Sequence, residues 1–113
     1  ALSLSKSPDR GHLLENLVFI QLRYRHDTDH IFYYHGNGEC DFIVTDADNR
    51  AMKAIQVCHQ LDDENFSREM NGLTEAMQKL HIAEGYIVTL NEKDIFHTDA
   101  GEVKIVRAWE MFE

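Results

Sequence analysis

The sequence predicts one α/β domain with a mixed central sheet flanked by helices, with α+β as the alternative class. Two segments carry apolar residues at helical spacing, and segments rich in β-branched and aromatic residues lie between and after them. The predicted order is α-β-β-β-α-β-β, and a helix that separates two groups of strands implies a mixed sheet with helices packed on it. With 113 residues, of which 43% are hydrophobic, the chain suits a single domain over residues 1–113 and is not a disordered tail.

The first helix is predicted to begin at Ser7, which can cap its free N–H groups, with Pro8 and Asp9 suited to the first turn. Apolar residues then recur at helical spacing at Leu13, Leu14, Leu17, Val18, Phe19 and Leu22. A basic turn that ends near Arg25 suits a helix C-terminus. Because apolar side chains cover more than half of its circumference, we expect this helix to be sandwiched between other layers.

Three strands are predicted next. Residues 31–35 are aromatic and β-branched, the Gly-Asn-Gly sequence at residues 36–38 is strong turn chemistry, and residues 39–45 resume as a second strand. A polar turn at residues 46–50 leads into a third strand over residues 51–58.

A second helix is predicted to open at residues 62–64. Its apolar stripe at helical spacing consists of Phe66, Met70, Leu73, Met77 and Leu80. Residues 86–90 then form a buried strand, and residues 95–97 and 103–106 form a last hairpin or meander around the turn at residues 99–101.

Alternation of side chains along each strand predicts which residues share a face. On the second strand one face carries Glu39, Asp41, Ile43 and Thr45, and the other carries Cys40, Phe42 and Val44. On the third strand Met52, Ala54, Gln56 and Cys58 share a face. Asp41 and Gln56 are polar residues in segments otherwise suited to burial, where an unpaired polar group costs several kcal/mol. Each therefore needs a hydrogen-bonding partner or a metal.

Glu15 is a third polar residue in an apolar setting, within the central part of the first helix. A glutamate on the covering helix, Asp41 on the second strand and Gln56 on the third could converge on one divalent cation. Oxygen ligands of this kind suit Mg²⁺ or Mn²⁺. We therefore expect Glu15, Asp41 and Gln56 to lie in one pocket at the edge of the sheet.

The order of elements resembles the restriction-endonuclease-like PD-(D/E)XK fold, with Glu15, residues 38–42 (GECDF) and residues 55–58 (IQVC) at the positions of its motifs. More narrowly, residues 11–19 (GHLLENLVF), the ECDF sequence and Ala108-Trp109 resemble the C-terminal domain of a family of prokaryotic AAA-type P-loop ATPases. The resemblance covers residues 10 to 112. Because this chain has no phosphate-binding P-loop motif and does not begin with Met, the resemblance implies a C-terminal fragment whose ATPase domain lies upstream.

The resemblance also implies roles for individual residues. In active members of the fold the residues matching Asp41 and Gln56 hold the metal, the backbone carbonyl matching that of Val57 is often a further ligand, and a lysine at the position of Cys58 assists catalysis. Here Gln56 replaces the motif acid and Cys58 replaces the motif lysine. Loss of one group that stabilises developing charge typically costs about 100- to 1000-fold in rate, so the resemblance implies a weakened or inactive site.

Each of these residues also has a structural interpretation. Asp41 could be a buried acid bonded to backbone N–H groups, Glu15 a helix acid with a local arginine partner, and Gln56 an amide that satisfies its neighbours. Cys58 is more often a small buried hydrophobic residue than a reactive thiol.

Zinc is an alternative that the seven histidines raise. Their spacing contains no pair four residues apart on a predicted helix, since His26 and His30 fall in a turn. Cys40 and Cys58 are expected on opposite strand faces, so no four-ligand set assembles and zinc is disfavoured.

Two functions remain open. The first is a nuclease-like accessory domain of an AAA-type ATPase that is catalytically degenerate and acts as an interaction or regulatory module. The second is an active magnesium-dependent nuclease that hydrolyses DNA phosphodiesters, in which Asp41 and Glu15 hold the cation and Gln56 orients water or metal. The missing lysine and the formal net charge of −9 favour the first function, because phosphate binding depends on lysine and arginine.

The expected partners are the upstream ATPase domain of the same chain and, weakly, DNA; a homo-oligomer is left open. The chain has no apolar run of the roughly 20 residues that a membrane helix needs. The two cysteines are too few for a disulfide scaffold, and no export signal opens the chain. We therefore expect a cytoplasmic protein that makes no membrane contact.

Overall fold

A computed structural model describes residues 7–111 of the chain, with side chains from residue 12 onward. The helices are α1 (Ser7–Arg25), α2 (Phe66–Leu80) and the short α3 (Ala108–Met111), with a 3₁₀ turn at Thr28–His30. The strands are β1 (Ile31–His35), β2 (Glu39–Thr45), β3 (Ala51–Val57), β4 (Glu84–Thr89), β5 (Asp94–Thr98) and β6 (Gly101–Arg107).

The strands of residues 7–111 form one mixed sheet in the order β1-β2-β3-β4-β6-β5. The central pairs β3–β4 and β4–β6 are parallel, and the outer pairs are antiparallel. This confirms the predicted α/β class with a mixed sheet. The predicted hairpin at residues 95–97 and 103–106 is confirmed as β5 and β6, which turn between Thr98 and Gly101. The structure therefore has three strands after α2, one more than the predicted order gives.

The two long helices cover opposite faces of the sheet. The α2 face holds a core cluster that includes Ile43, Ala54, Leu73, Met77 and Ile87. The α1 face holds a second cluster that includes Leu14, Val18, Phe42, Ile55 and Val57. The central strands are therefore covered on both faces, as strands with parallel neighbours generally are.

The expectation that α1 is sandwiched between layers is wrong. Val18 on its sheet side is fully buried, whereas Leu17, Ile20 and Tyr24 are 39%, 47% and 83% exposed. These three residues follow one stripe of the helix at i, i+3 and i+7. The excess apolar residues of α1 thus form an exposed stripe that nothing in residues 12–111 covers.

Helix α2 begins at Phe66, later than the predicted opening at residues 62–64. The carboxylate of Asp62 accepts hydrogen bonds of 2.9 Å from the main-chain N–H groups of Glu64 and Asn65, and its carbonyl accepts one from Phe66. Residues 62–64 therefore form the turn that precedes the helix, because Asp62 bonds the backbone locally in a way that competes with helix formation.

A β-bulge interrupts β2 at Asp41 and Phe42. The register pairs Ile43 with Phe32 and Cys40 with Tyr34, so two residues of β2 lie opposite one residue of β1. Strict alternation fails at this point: Cys40 packs in the α2-side cluster with Ile43, and Phe42 packs in the α1-side cluster. The predicted grouping of Cys40 with Phe42 is therefore wrong.

The β1–β2 hairpin is held against α2 by Glu75. Its carboxylate accepts hydrogen bonds from the hydroxyl of Tyr34 at 2.7 Å and from the N–H groups of Asn37 and Gly38 at 3.1 Å. This clamp fixes the start of β2, and with it the bulge, relative to the helix.

Among the described helices, none combines the length and hydropathy that a membrane span requires.

Candidate functional site

Asp41 lies in the β2 bulge, beside the end of β3. Its carboxylate accepts a hydrogen bond of 2.8 Å from the main-chain N–H of Val57. Its own main-chain N–H donates to the side-chain oxygen of Gln56 at 3.0 Å. Asp41 is therefore fixed to β3 by both its side chain and its backbone.

The electrostatic surroundings of this carboxyl group are acidic. Burial, with smaller contributions from the negative charges of Glu15, Glu69 and Glu39, raises the pKa of Asp41 from an ordinary 3.8 to about 7. The hydrogen bond from Val57 acts in the opposite direction. Every charged side chain that acts appreciably on Asp41 is thus a carboxylate, so the group is partly protonated near neutral pH.

Gln56 connects three segments of backbone around Asp41. Its side chain is 2% exposed. One amide N–H donates to the carbonyl of Glu39 at 2.7 Å, the other donates to the carbonyl of Glu69 at 3.1 Å, and the amide oxygen accepts from Asp41. Gln56 therefore ties the start of β2 to α2, and its role as a metal ligand stays a prediction.

Gly72 on α2 makes this arrangement possible and is not anticipated by the sequence analysis. A Cβ atom at this position would collide with the carbonyl oxygen of Glu39 and would lie 3.0 Å from the Gln56 amide nitrogen. Glycine in the middle of a helix costs about 0.5–1 kcal/mol relative to alanine. A glycine in the middle of a predicted helix was the available signal, because a residue that costs stability there usually has a packing reason.

Glu69 is the acidic residue of α2 that reaches the site. Burial raises its pKa, the guanidinium of Arg68 lowers it, and the charges of Glu15 and Glu39 raise it. The Arg68 guanidinium nitrogen Nε lies 3.4 Å from the Glu69 carboxylate, and the arginine side chain is 74% exposed. The charge of Glu69 also acts on Asp41, so the four residues Glu15, Glu39, Asp41 and Glu69 are here called the acidic cluster, which is defined by these charge effects.

Cys58, at the position of the motif lysine, is half-buried and neutral near pH 7. Its thiol donates to the carbonyl of Gln60 at 3.3 Å and lies 3.4 Å from the side-chain nitrogen of Asn65. Burial and the charge of Glu69 raise the pKa of Cys58 to about 11. Cys58 and Cys40 both pack in the α2-side cluster as free thiols, so the expectation that they occupy opposite faces is wrong.

The predicted ligands do not form a ready-made metal site. In the described part of the chain, no group of three or more His, Cys, Asp or Glu side chains is close enough to hold a metal ion. Asp41 and Glu15 have the oxygen chemistry that a hard cation prefers, whereas the amide of Gln56 is bonded to backbone groups. The Mg²⁺ or Mn²⁺ site stays a prediction.

The fold and the site define an α/β domain with a mixed sheet and a partly buried acidic cluster beside the end of β3. The chain belongs to the family described as domain of unknown function DUF4143, whose profile matches residues 10–111. It is 36% identical over 106 residues to an uncharacterised protein of Methanocaldococcus jannaschii. The match covers 91% of this chain and 22% of that relative's length. No solved structure gave a significant match.

Proposed function

We propose that the domain is a catalytically degenerate, nuclease-like accessory module of an AAA-type ATPase. The observation that carries this proposal is the use of Gln56. The residue at the position of the motif acid makes three hydrogen bonds to backbone groups, so it serves the packing of β2, β3 and α2. A metal-binding acid could not make the two donor bonds of this amide.

The charge of the site supports the same function. The charges of Glu15 and Glu39 raise the pKa values of Asp41 and Glu69, and the motif lysine is replaced by the neutral thiol of Cys58. A phosphodiester is an anion, and its transition state needs positive charge nearby. The carboxylates of the acidic cluster would repel both the phosphodiester substrate and its negatively charged transition state.

The setting in longer proteins supports an accessory role. DUF4143 commonly forms the C-terminal region of AAA-type ATPases, and the archaeal relative extends far beyond the matched segment. The exposed stripe of Leu17, Ile20 and Tyr24 on α1 is suited to contact with the rest of such a protein. We propose that α1 docks there on the ATPase portion of the full-length chain.

An active magnesium-dependent nuclease is the alternative, in which Asp41 and Glu15 would hold the cation. The raised pKa of Asp41 favours this alternative, because strongly perturbed carboxyl groups are concentrated at functional sites.

Plasmid cleavage in the presence of Mg²⁺ or Mn²⁺ separates the two functions. The variants are Asp41→Ala and, as a matched control, Asp48→Ala, which removes one aspartate from an exposed turn. We expect no cation-dependent cleavage by the wild type above the level of Asp41→Ala. Cleavage that Asp41→Ala abolishes and Asp48→Ala retains would overturn the degenerate assignment and establish the nuclease.

A further inference from the structure

A second site candidate lies on the α1 face of the sheet, toward its other end from Asp41. A cavity of about 370 Å³ opens between the end of α1, the start of β3 and α3. Its lining includes Lys53, which precedes Val57 by four residues on β3. At a rise of about 3.3 Å per residue, these two positions are roughly 13 Å apart. The volume lies within the range of about 300–1,000 Å³ typical of small-ligand pockets.

The rim of this cavity, here called the basic pocket, concentrates positive charge in an acidic protein. Arg25, Lys53, Lys93 and His26 line it, against one lining carboxylate, that of Glu110. The chain as a whole carries 11 lysines and arginines against 20 acidic residues. Three of those 11 cations therefore surround a single cavity, which opposes the net charge of the molecule.

The one carboxylate in the lining is already neutralised. Glu110 lies 2.9 Å from the guanidinium of Arg107, which does not line the cavity, and 3.7 Å from the ammonium of Lys93. These two cations outnumber the single acid. Positive charge therefore remains at the rim after the pairing is complete.

Lys53 is a cation with no salt bridge in the described part of the chain. Its ammonium lies 5.9 Å from the centre of the Tyr86 ring, and the Tyr86 hydroxyl bonds Glu84 at 3.4 Å. Arg25 uses one N–H group on the carbonyl of Met111 at 2.9 Å. A guanidinium has five N–H groups, so four remain for a ligand.

His26 lies among the same positive charges. Burial lowers its pKa, and the charges of Lys53, Arg25 and His30 lower it further. A histidine is disfavoured as a cation where other cations already crowd the space. An anion in the pocket would relieve that crowding.

The floor of the basic pocket is apolar and includes one flat aromatic ring. Leu22, Ile55, Val88 and Val106 form its aliphatic part, and the half-buried ring of Tyr86 completes it. An inorganic ion alone would leave this apolar surface exposed to water. An apolar or aromatic body attached to an anionic group would cover it.

We propose that the basic pocket binds a small organic anion, with its flat apolar body on Tyr86 and its acidic group between Lys53 and Arg25. Sulfonate, carboxylate and phosphate groups share the chemistry that these cations recognise. The proposal is independent of the nuclease-like function, because neither Asp41 nor Gln56 lines this cavity.

The probe is 8-anilinonaphthalene-1-sulfonate, whose binding to the folded protein is followed by fluorescence and calorimetry. Lys53→Gln removes the charge and retains the first two methylene groups of the stem, and Lys79→Gln makes the same change at an exposed position at the end of α2. We expect Lys53→Gln to weaken binding about tenfold, as for a lost charge-assisted hydrogen bond, and Lys79→Gln to change it less than about twofold. Arg25→Gln should also weaken binding, and it replaces Lys53→Gln as the test variant if Lys53→Gln does not fold.

Two further comparisons of ligands identify the chemical group that the basic pocket recognises. The neutral analogue N-phenyl-1-naphthylamine should bind the wild type more weakly and should not distinguish Lys53→Gln from Lys79→Gln. Comparison of 1-naphthoate with 1-naphthyl phosphate identifies the preferred acidic group. Equal effects of Lys53→Gln and Lys79→Gln would overturn the proposal, as would neutral and anionic probes of equal affinity. It would also be overturned by an oligonucleotide that displaces the probe and binds more tightly in a Lys53-dependent manner.

Discussion

The main-chain N–H of Val57 donates a 2.8 Å hydrogen bond to the carboxylate of Asp41. The bulge in β2 ends the regular pairing of β2 with β3 next to this point, and the aspartate side chain takes the place of a backbone acceptor. The side-chain oxygen at this position is the acceptor for a strand-end N–H whether or not the site performs chemistry, and the neutral acid or an amide can accept the same bond. This contact explains how an acidic residue can be retained in a site that has lost its other catalytic groups.

Stability should fall with pH because of Asp41. Its pKa rises from 3.8 to about 7 on folding, so between these values the folded state keeps a proton that the unfolded state has lost. Stability from this group is therefore complete below about pH 4 and lost as the pH rises to about 7. Asp41→Asn should remove that loss. Its free energy of unfolding, relative to that of the wild type, should therefore rise by roughly 1–3 kcal/mol from pH 4 to pH 8, since one pKa unit is worth ~1.4 kcal/mol and partial exposure reduces the total.

Urea unfolding at several pH values measures this difference, with Asp48→Asn as the control for loss of one surface charge. A stability gap between Asp41→Asn and wild type that stays constant from pH 4 to pH 8 would contradict the raised pKa.

Replacement of Gly72 by alanine should destabilise the fold. The new methyl group meets the Glu39 carbonyl and pushes α2 away from β2, which costs about 1–3 kcal/mol and exceeds the gain of ~0.5–1 kcal/mol from a better helix former. Asn71→Ala, at the exposed neighbouring position, should change stability by less than about 0.5 kcal/mol. Thermal melts of both variants make the comparison, and an unchanged or higher melting temperature for Gly72→Ala would be inconsistent with this close approach.

Loss of the Gln56 hydrogen bonds should lower the stability of the fold by more than the change in buried apolar surface would. Gln56→Met keeps the shape but leaves the N–H of Asp41 and the carbonyl of Glu39 without the bonds that Gln56 makes to them. The carbonyl of Glu69 loses its second donor and keeps the main-chain bond of helix α2. Each buried unsatisfied group costs about 1–3 kcal/mol, so we expect a loss of at least ~2 kcal/mol in chemical denaturation. Gln78→Met, at an exposed position of α2, is the matched control. Equal stability of the two variants would show that the three bonds contribute nothing.

Cys58 should react slowly with alkylating reagents. A pKa of about 11 against an ordinary 9.0 lowers the thiolate fraction at pH 7.5 about 100-fold, and the thiolate is the reactive form. Mass spectrometry of iodoacetamide-treated protein measures the rate at the peptide that contains Cys58. A rate equal to that of a free cysteine peptide would rule out the environment described for this thiol.

Local sequence signals predicted most of the fold. The bounds of α1, β1 and β2 match the structure, because a basic last turn of a helix and a Gly-Asn-Gly turn act through the backbone of their own segment. The predicted cap at Ser7 and Pro8 lies outside the side chains that the structure describes. The start of α2 was misplaced for the same kind of reason, since Asp62 can either open a helix or close a turn.

The site was less predictable because its features depend on contacts between distant segments. The bulge at Asp41 shifts Cys40 to the face opposite the one that alternation gives, and it accompanies contacts with Gln56 and Val57, which are 15 and 16 residues away. Gly72 is required by a carbonyl 33 positions earlier, at Glu39. Periodicity within one strand or helix carries no information about such approaches.

The central proposal, that the site has lost its metal and its chemistry, is tested most directly by calorimetric titration of Mn²⁺. The proteins are the wild type, Asp41→Asn and the double variant Gln56→Glu with Cys58→Lys, which restores the motif acid and lysine. Added anionic charge beside Asp41 provides what a hard cation needs, so the double variant should bind Mn²⁺ more tightly than the wild type. It should also be less stable than the wild type, because a glutamate cannot make the two amide donor bonds of Gln56. The account predicts that wild type and Asp41→Asn give the same weak or absent binding; tight binding by the wild type that Asp41→Asn abolishes would contradict it.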